Sequence, residues 1–305
     1  MMADTLSADT LTGDMLTGDT LAITVEHGAD LHTPASKAVL AGLGAYNAAK
    51  TPPVRARIGV AARDSATDAW LGGITATVYG DAAYAPWGVW TEEAADGAVG
   101  AAILAAAEAA LAGLGCVRLT AGGRAHAPLS PYGARGFRTT HAIPDHIRGG
   151  DYVVLRKELA GAAAPEVPAG VSLELRTPPS DPWTAENWRR LDARRQRNFG
   201  VAPRWVSAYV RDGGAVRGGA LCYAVADEFM VDMLWLDEPL RGTGTGARMM
   251  RAALDAGRAL GCRRATVETA DFQAPDFYRR IGFSDLAYVP DMLSGAGMTA
   301  LRMDL

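Results

Sequence analysis

The chain repeats itself at a spacing of 146 residues, and this repeat restricts the folds available to it. Gly115-Cys116 recurs as Gly261-Cys262, and Gly136-Phe137 recurs as Gly282-Phe283. The other matches are Gly72-Gly73 with Gly218-Gly219, Tyr132 with Tyr278, Pro144-Asp145 with Pro290-Asp291, and Leu155-Arg156 with Leu301-Arg302. Because the register holds without a gap through Tyr, Phe, Cys and Pro-Asp positions, the sequence predicts two duplicated domains.

A stretch rich in Pro, Ala and Gly joins the two halves. Residues 160–170 read AGAAAPEVPAG, a composition typical of a linker. They separate a predicted N-terminal domain, residues 22–159, from a predicted C-terminal domain, residues 171–305. Residues 1–21 repeat an Asp-x-Leu motif every five residues. Five matches neither the helix nor the strand period, so this segment is predicted to be a flexible tail.

The order of elements predicts an α+β fold in each half, with a mostly antiparallel twisted sheet flanked by helices. In the second half, strands are predicted at 171–176, 205–211, 216–226, 228–236, 265–269 and 299–305, and helices at 180–198, 246–260 and 275–281. Asp212-Gly213-Gly214 marks a hairpin between two of these strands. Hairpins followed by a strand–turn–helix–strand unit indicate a mixed sheet with helices on both faces.

Charge and composition exclude several classes of protein. The net charge of −4 lacks the basic excess of nucleic-acid binders. The sequence has neither a secretion signal nor an apolar run of the ~20 residues that cross a membrane. Three cysteines without a CxxC pair favour a reduced, cytoplasmic location, and the five histidines have no metal-ligand spacing. We therefore expect no metal, nucleic-acid or membrane partner, and the oligomeric state stays open.

A glycine-rich turn lies between a predicted strand and a predicted helix in the second half. It reads Arg241-Gly242-Thr243-Gly244-Thr245-Gly246-Ala247. Glycines let a ligand approach the backbone, free N–H groups at a helix start favour an anion, and Arg241 adds a cation. The turn is not a Walker A loop. It loosely matches the dinucleotide-binding fingerprint, with Glu268 as the acidic partner. The hairpins before it argue against that parallel fold. From the turn alone, a pyrophosphate cradle and a plain strand-to-helix connection both remain open.

Two motifs together resemble the GNAT superfamily of N-acetyltransferases. Arg241-x-x-Gly244-x-Gly246 follows a strand, and Phe277-Tyr278-x-x-x-Gly282-Phe283 lies downstream. The resemblance covers nearly all of the second half and, more weakly, most of the first, so the duplication resembles tandem GNAT proteins with one degenerate domain. It implies that acetyl-coenzyme A (acetyl-CoA) binds with its pyrophosphate at residues 241–247. It also implies backbone contacts to pantetheine from Leu236 and Asp237.

The strand before this turn contains a candidate catalytic base. Strand alternation predicts that Met230, Asp232, Leu234 and Leu236 share one face, where Asp232 is a lone carboxylate among apolar residues. Asp232 is interpreted as a base acting directly or through water, as the resemblance also suggests. The alternative is that it caps a backbone group or pairs with an arginine. Two other carboxylates are reserve candidates, namely Glu228 and Glu268.

The departing thiolate needs a proton donor. Tyr278 matches the tyrosine that commonly donates this proton in GNAT enzymes, and a phenol with a pKa near ~10 suits a thiol leaving group. The alternative for Tyr278 is a core aromatic residue beside Phe277.

The first half has lost most of the turn. At the repeat spacing, Arg241, Gly242 and Gly244 correspond to Ala95, Asp96 and Ala98. Losing one charge-assisted contact removes roughly 1.5–3 kcal/mol, so the first half is predicted to bind coenzyme A weakly or not at all. The alternative is that its main-chain N–H groups suffice for binding without turnover.

The leading functional hypothesis is an acetyl-CoA-dependent N-acetyltransferase that acts on the primary amine of a small molecule, such as an antibiotic-type compound of specialised metabolism. Asp227, Glu228 and Asp232 would attract a cationic amine. Arginines on the predicted 180–198 helix suggest an acceptor that also carries phosphate or carboxylate, or simply a solvated helix face. The alternatives are a non-catalytic acyl-CoA-binding module, either regulatory or scaffolding, and a protein N-acetyltransferase.

Overall fold

Fifteen strands and five helices make up the part of the chain that a computed structural model describes, residues 21–28, 31–86, 88–90, 97–124, 129–147, 150–160, 164–178, 190, 193, 201–293 and 295–305. The strands are β1 Leu21–His27, β2 Val54–Asp64, β3 Trp70–Tyr79, β4 Ala82–Ala85, β5 Gly88–Trp90, β6 Arg118–Arg124, β7 Arg138–Ile147, β8 Gly150–Glu158, β9 Val171–Arg176, β10 Arg204–Asp212, β11 Ala215–Val225, β12 Glu228–Leu236, β13 Arg264–Ala270, β14 Ser284–Leu293 and β15 Ala296–Asp304. The helices are α1 Pro34–Ala48, α2 Ala98–Gly113, α3 Ser130–Ala134, α4 Thr245–Ala259 and α5 Pro275–Arg280, with a 3₁₀ turn at Glu238–Leu240.

These strands form two mixed sheets. One has the order β1-β10-β11-β12-β13-β15-β14, and the other has the order β7-β8-β6-β4-β3-β2-β9, with β5 beside β3. Within the described residues, the parallel pairs are β12 with β13 and β4 with β6. Helix α4 packs against the first sheet and α2 against the second. The predicted α+β class with mostly antiparallel sheets is confirmed.

Most predicted elements of the second half are present within one to three residues of their predicted ends, but β14 was missed. The hairpin at residues 212–214 forms as expected. Gly213 and Gly214 both have positive φ, +54° and +92°, as a tight turn between twisted strands requires. The predicted helix 180–198 and its arginines fall outside the described residues, apart from Arg190 and residue 193.

Residues that correspond in the sequence repeat are paired in the same register in the two sheets. Glu228 lies opposite Arg264 in the parallel pair of one sheet, and Ala82 lies opposite Arg118 in the other. The contact between the sheets follows the same pseudo-twofold relation. Arg264 binds Asp145 across it at 2.6 Å, and Arg118 binds Asp291 at 2.7 Å. Apolar residues from both halves fill the centre of this contact: Ile143, Tyr152, Val154, Val289, Met292, Met298 and Ala300.

Each half donates its first strand to the sheet of the other half. Leu21 in β1 lies opposite Asp212 in β10, and Val171 in β9 lies opposite Asp64 in β2. Helix α1 follows β1 and packs against β11 and β12. The predicted domain boundaries, 22–159 and 171–305, therefore separate the two copies of the sequence repeat. Each sheet, however, contains strands from both ranges. Sequence patterning cannot reveal this exchange, because a strand looks the same whichever edge it joins.

The contact between α1 and β12 gives a test of this exchange. A Cβ atom at Gly42 would lie 2.2 Å from the Trp235 ring, whereas a Cβ at Gly44 would meet nothing within 4 Å. Overpacking typically costs about 1–3 kcal/mol. We expect Gly42→Ala to lower the free energy of unfolding by about this amount in denaturant titrations. The same change at Gly44 should leave it unchanged or raise it, because alanine favours helix. Equal effects at both positions would contradict the packing of α1 on β12.

Candidate active site

A bulge in β12 opens a gap in the first sheet. The register between β11 and β12 shifts at Asp232, which has no residue opposite it. The parallel pairing of β12 with β13 ends at Val231 and Val267. Beyond this point the edge of β12 faces a cavity of about 790 Å³, which residues 232–236 and 267–269 line from the two strands. Bulges often break strand pairing beside active sites in this way.

The bulge overturns one prediction about the strand. Met230 packs beside Trp205, whereas Leu234 and Leu236 pack with the core on the side of α4. The prediction that Met230, Asp232, Leu234 and Leu236 share one face is therefore wrong. The extra residue at Asp232 inverts the alternation along the remainder of β12.

The glycine-rich turn lies against the same cavity. Gly242 and Gly244 have φ of +76° and +85°, a conformation that side chains disfavour. Helix α4 begins directly after Gly244, which has no side chain with which to cap the first amides. Five predicted cofactor-binding residues of the turn line the cavity: Arg241, Gly242, Gly244, Gly246 and Ala247.

Helix α1 contributes a wall that sequence reasoning missed. Leu43, Tyr46 and Asn47 line the cavity, although they belong to the first half of the sequence. The Tyr46 hydroxyl donates a hydrogen bond to the Phe272 carbonyl at 3.0 Å. The Arg241 guanidinium lies over the Tyr46 ring, 4.8 Å from its centroid. No local motif marks these residues, because the strand exchange brings them to the site.

The remaining predicted cofactor contacts fall into two groups. Leu236 lines the cavity, and its carbonyl accepts a hydrogen bond from Arg241 Nε at 2.8 Å. Asp237, Thr243 and Thr245 are not among the described residues that line it. The Asp237 carboxylate instead binds Arg217 at 3.0 Å, and the hydroxyls of Thr243 and Thr245 lie 2.8 Å apart. Contact of these three residues with a ligand stays a prediction.

Tyr278 lies in the cavity wall and is only 4% exposed. Its ring packs edge-on against Phe277 and Phe283. Burial raises the pKa of the Tyr278 phenol well above its usual range. Burial, with a smaller contribution from the Asp232 charge, likewise raises the pKa of the Cys222 thiol. Both groups therefore stay protonated at neutral pH.

Two carboxylates line the cavity, Asp232 and Glu268. Glu228, the other reserve candidate, is fully buried and paired with Arg264, and it is not among the described lining residues. Glu268 Oε1 lies 2.7 Å from Nε2 of His146, which the second sheet contributes. Among the described residues, no cluster of His, Cys, Asp or Glu is arranged to hold a metal, and no helix is long and apolar enough to span a membrane.

Comparison with known proteins assigns this architecture to a family. Residues 171–283 match the family model described as "Acetyltransferase (GNAT) family". The match assigns residues 171–283 to this family and confirms the predicted resemblance for this segment.

Individual relatives cover only parts of the chain. A blasticidin-S acetyltransferase of Streptomyces morookaense is 41% identical over 83 residues, which are 27% of this chain and 61% of that enzyme. The chain therefore spans less than two thirds of that relative. An acetyltransferase of Agrobacterium fabrum is 26% identical over 40% of this chain and 85% of its own length. A crystal structure of a putative acetyltransferase from Agrobacterium tumefaciens covers 40% of this chain and 92% of its own, with 27% identity and a TM-score of 0.36.

Proposed function

We propose that this protein transfers an acetyl group from acetyl-CoA to the amine of a small molecule. One observation carries the proposal: the gap between β12 and β13, the start of α4 and Arg241 all face one cavity that Asp232 and Tyr278 also line. The match of residues 171–283 to the GNAT acetyltransferase family supports an acyl transfer at this site. We further propose that the first half is a degenerate copy of the same domain.

The residues around the cavity fit the chemistry of the carrier. Arg241 and the first-turn amides of Gly246 and Ala247 favour a pyrophosphate. The unpaired edge of β12 beyond Val231 offers backbone groups to the amides of an extended pantetheine arm, as an added strand would use them. Acetyl-CoA supplies the acetyl group in activated form, as a thioester.

The proposed chemical roles divide between two side chains. Asp232 accepts a proton from the acceptor amine, directly or through water, so that the nitrogen lone pair is free to attack the carbonyl carbon. Tyr278 donates its proton to the sulfur as the carbon–sulfur bond breaks. Its raised pKa keeps the phenol protonated at neutral pH. Such positioned acids and bases typically contribute ~10²–10⁴-fold each.

The acceptor is proposed to be a cationic small-molecule amine of antibiotic type. Asp232 and Glu268 place two carboxylates in the cavity wall, which favours a cation. A cavity of about 790 Å³ suits a small molecule. The name of the Streptomyces relative points in the same direction. The three cysteines are buried and unpaired, which fits the proposed cytoplasmic location.

The proposal is tested by measuring coenzyme A release from acetyl-CoA with a panel of acceptors: blasticidin S, putrescine, tryptamine and a peptide with a free N-terminus. We expect one acetyl-CoA bound per chain by calorimetry, and release stimulated by at least one small amine. Binding without release by any acceptor would support the acyl-CoA-binding module instead. Release stimulated by the peptide alone would support a protein N-acetyltransferase.

A further inference from the structure

A histidine of the first half is buried against the cavity of the second half. His146 lies at the end of β7 and has no exposed surface. Its Nε2 is 2.7 Å from Oε1 of Glu268, but neither ring nitrogen makes an in-line hydrogen bond with the described residues. Buried polar groups usually have a partner, so an imidazole placed here requires an explanation. Its nearest ionisable neighbour is a carboxylate in the cavity wall.

The pseudo-twofold contact between the sheets lacks an equivalent of this pair. At the repeat spacing, His146 corresponds to Met292, and Glu268 corresponds to Gly122. The arginine–aspartate pairs of the same contact, by comparison, occur on both sides. The imidazole and the carboxylate are therefore additions to one side of a symmetric interface. That side is the one with the cavity.

The other side of the contact is filled by a tyrosine. A Cβ atom at Gly122 would lie 1.9 Å from the Tyr152 hydroxyl oxygen, so this phenol occupies the place that the side chain of Glu268 takes in the second half. The ring of Tyr152 also packs against that of His146, with centroids 5.3 Å apart and the planes tilted by 42°. Its hydroxyl lies 3.5 Å from that of Tyr84. Burial, with a smaller contribution from the charge of Glu268, raises the pKa of Tyr84.

We infer that Glu268 binds the amine of the acceptor and that His146 is a positioning residue that holds its carboxylate. This inference rests on the proposed function, and it assigns the first half a part in the reaction of the second. A carboxylate that is fixed from behind keeps its outer oxygen directed at the ligand. The charged and titratable groups around the pair are Tyr84, Tyr152, Asp145, Arg264 and Arg302.

Kinetics with blasticidin S, or with the best amine of the panel, test the positioning role. His146→Met copies the residue at position 292. We expect it to raise the KM for the amine about tenfold, because the close imidazole–carboxylate contact is lost, with kcat within about twofold. His146→Gln keeps a donor near Nε2 and should restore most of the loss. Glu268→Gln should raise the KM at least as much, and adding His146→Met to it should cost nothing more.

Matched controls separate this role from a general loss of structure. Met292→Leu changes the counterpart position in the same interface and should leave the KM unchanged. The acetyl-CoA dissociation constant and the Tm of the His146 variants should stay close to the wild-type values. Additive effects of His146→Met and Glu268→Gln, or an unchanged KM, would overturn the inference while leaving the proposed function intact.

A second test follows the NMR signals of the histidine rings and does not require turnover. In protein labelled with ¹⁵N-histidine, the signal lost in His146→Gln identifies His146 among the five histidines. Glu268→Gln should move that signal, and blasticidin S should move it in the wild type but not in Glu268→Gln. A signal unaffected by Glu268→Gln would overturn the pairing, even if His146→Met does not fold. Absence of acetyl transfer to every amine would instead defeat the proposed function.

Discussion

Tyr278→Phe is expected to lower kcat by ~10²-fold or more, because the leaving sulfur loses its proton donor while the packing of the ring is retained. The phenyl ring still fits against Phe277 and Phe283. The dissociation constant for acetyl-CoA should change little, since the hydroxyl is not part of the proposed phosphate cradle. Steady-state kinetics and calorimetry on the same preparation measure both quantities.

The first half contains a matched control for this substitution. Tyr132 occupies the repeat position of Tyr278, is also buried, and packs edge-on against Phe137. Tyr132 is not among the described residues that line the cavity. Tyr132→Phe should therefore leave kcat unchanged.

Because the pKa of Tyr278 is raised, its deprotonation should not limit the rate between pH 7 and pH 9. A similar kcat for Tyr278→Phe and the wild type would remove Tyr278 from the mechanism.

Arg241→Ala is expected to weaken acetyl-CoA binding by roughly 10- to 150-fold, the equivalent of a charge-assisted contact worth about 1.5–3 kcal/mol. The guanidinium is already held between the Leu236 carbonyl and the Tyr46 ring, so little side-chain entropy is lost on binding. Truncation of coenzyme A offers an independent check. Pantetheine lacks the pyrophosphate, so it should bind Arg241→Ala and the wild-type protein with similar affinity.

The control for this variant is Arg258→Ala. Arg258 lies in the last turn of α4, forms an exposed pair with Asp255, and does not line the cavity. Its removal should leave the affinity for acetyl-CoA unchanged. An unaltered dissociation constant in Arg241→Ala would place the pyrophosphate elsewhere, and the proposed cradle would be wrong.

Local chemistry made much of the second half predictable. The bounds of β12 and the start of α4 match their predictions to within one residue, because strand patterning and a glycine-rich turn are encoded by neighbouring residues. The face of Asp232 was not predictable. The bulge is a shift in the register between β11 and β12, and alternation assumes that no residue is skipped.

By itself the sequence determined the internal repeat, the α+β class and the resemblance of the second half to the GNAT superfamily. It also identified the turn that begins at Arg241. These features depend on spacing and on short motifs. Only the tertiary structure decided which half each first strand joins, and so brought α1 and His146 to the cavity of the second half. Such contacts join residues more than a hundred positions apart. Their free energy depends on packing between sheets, and no local pattern in the chain records that packing.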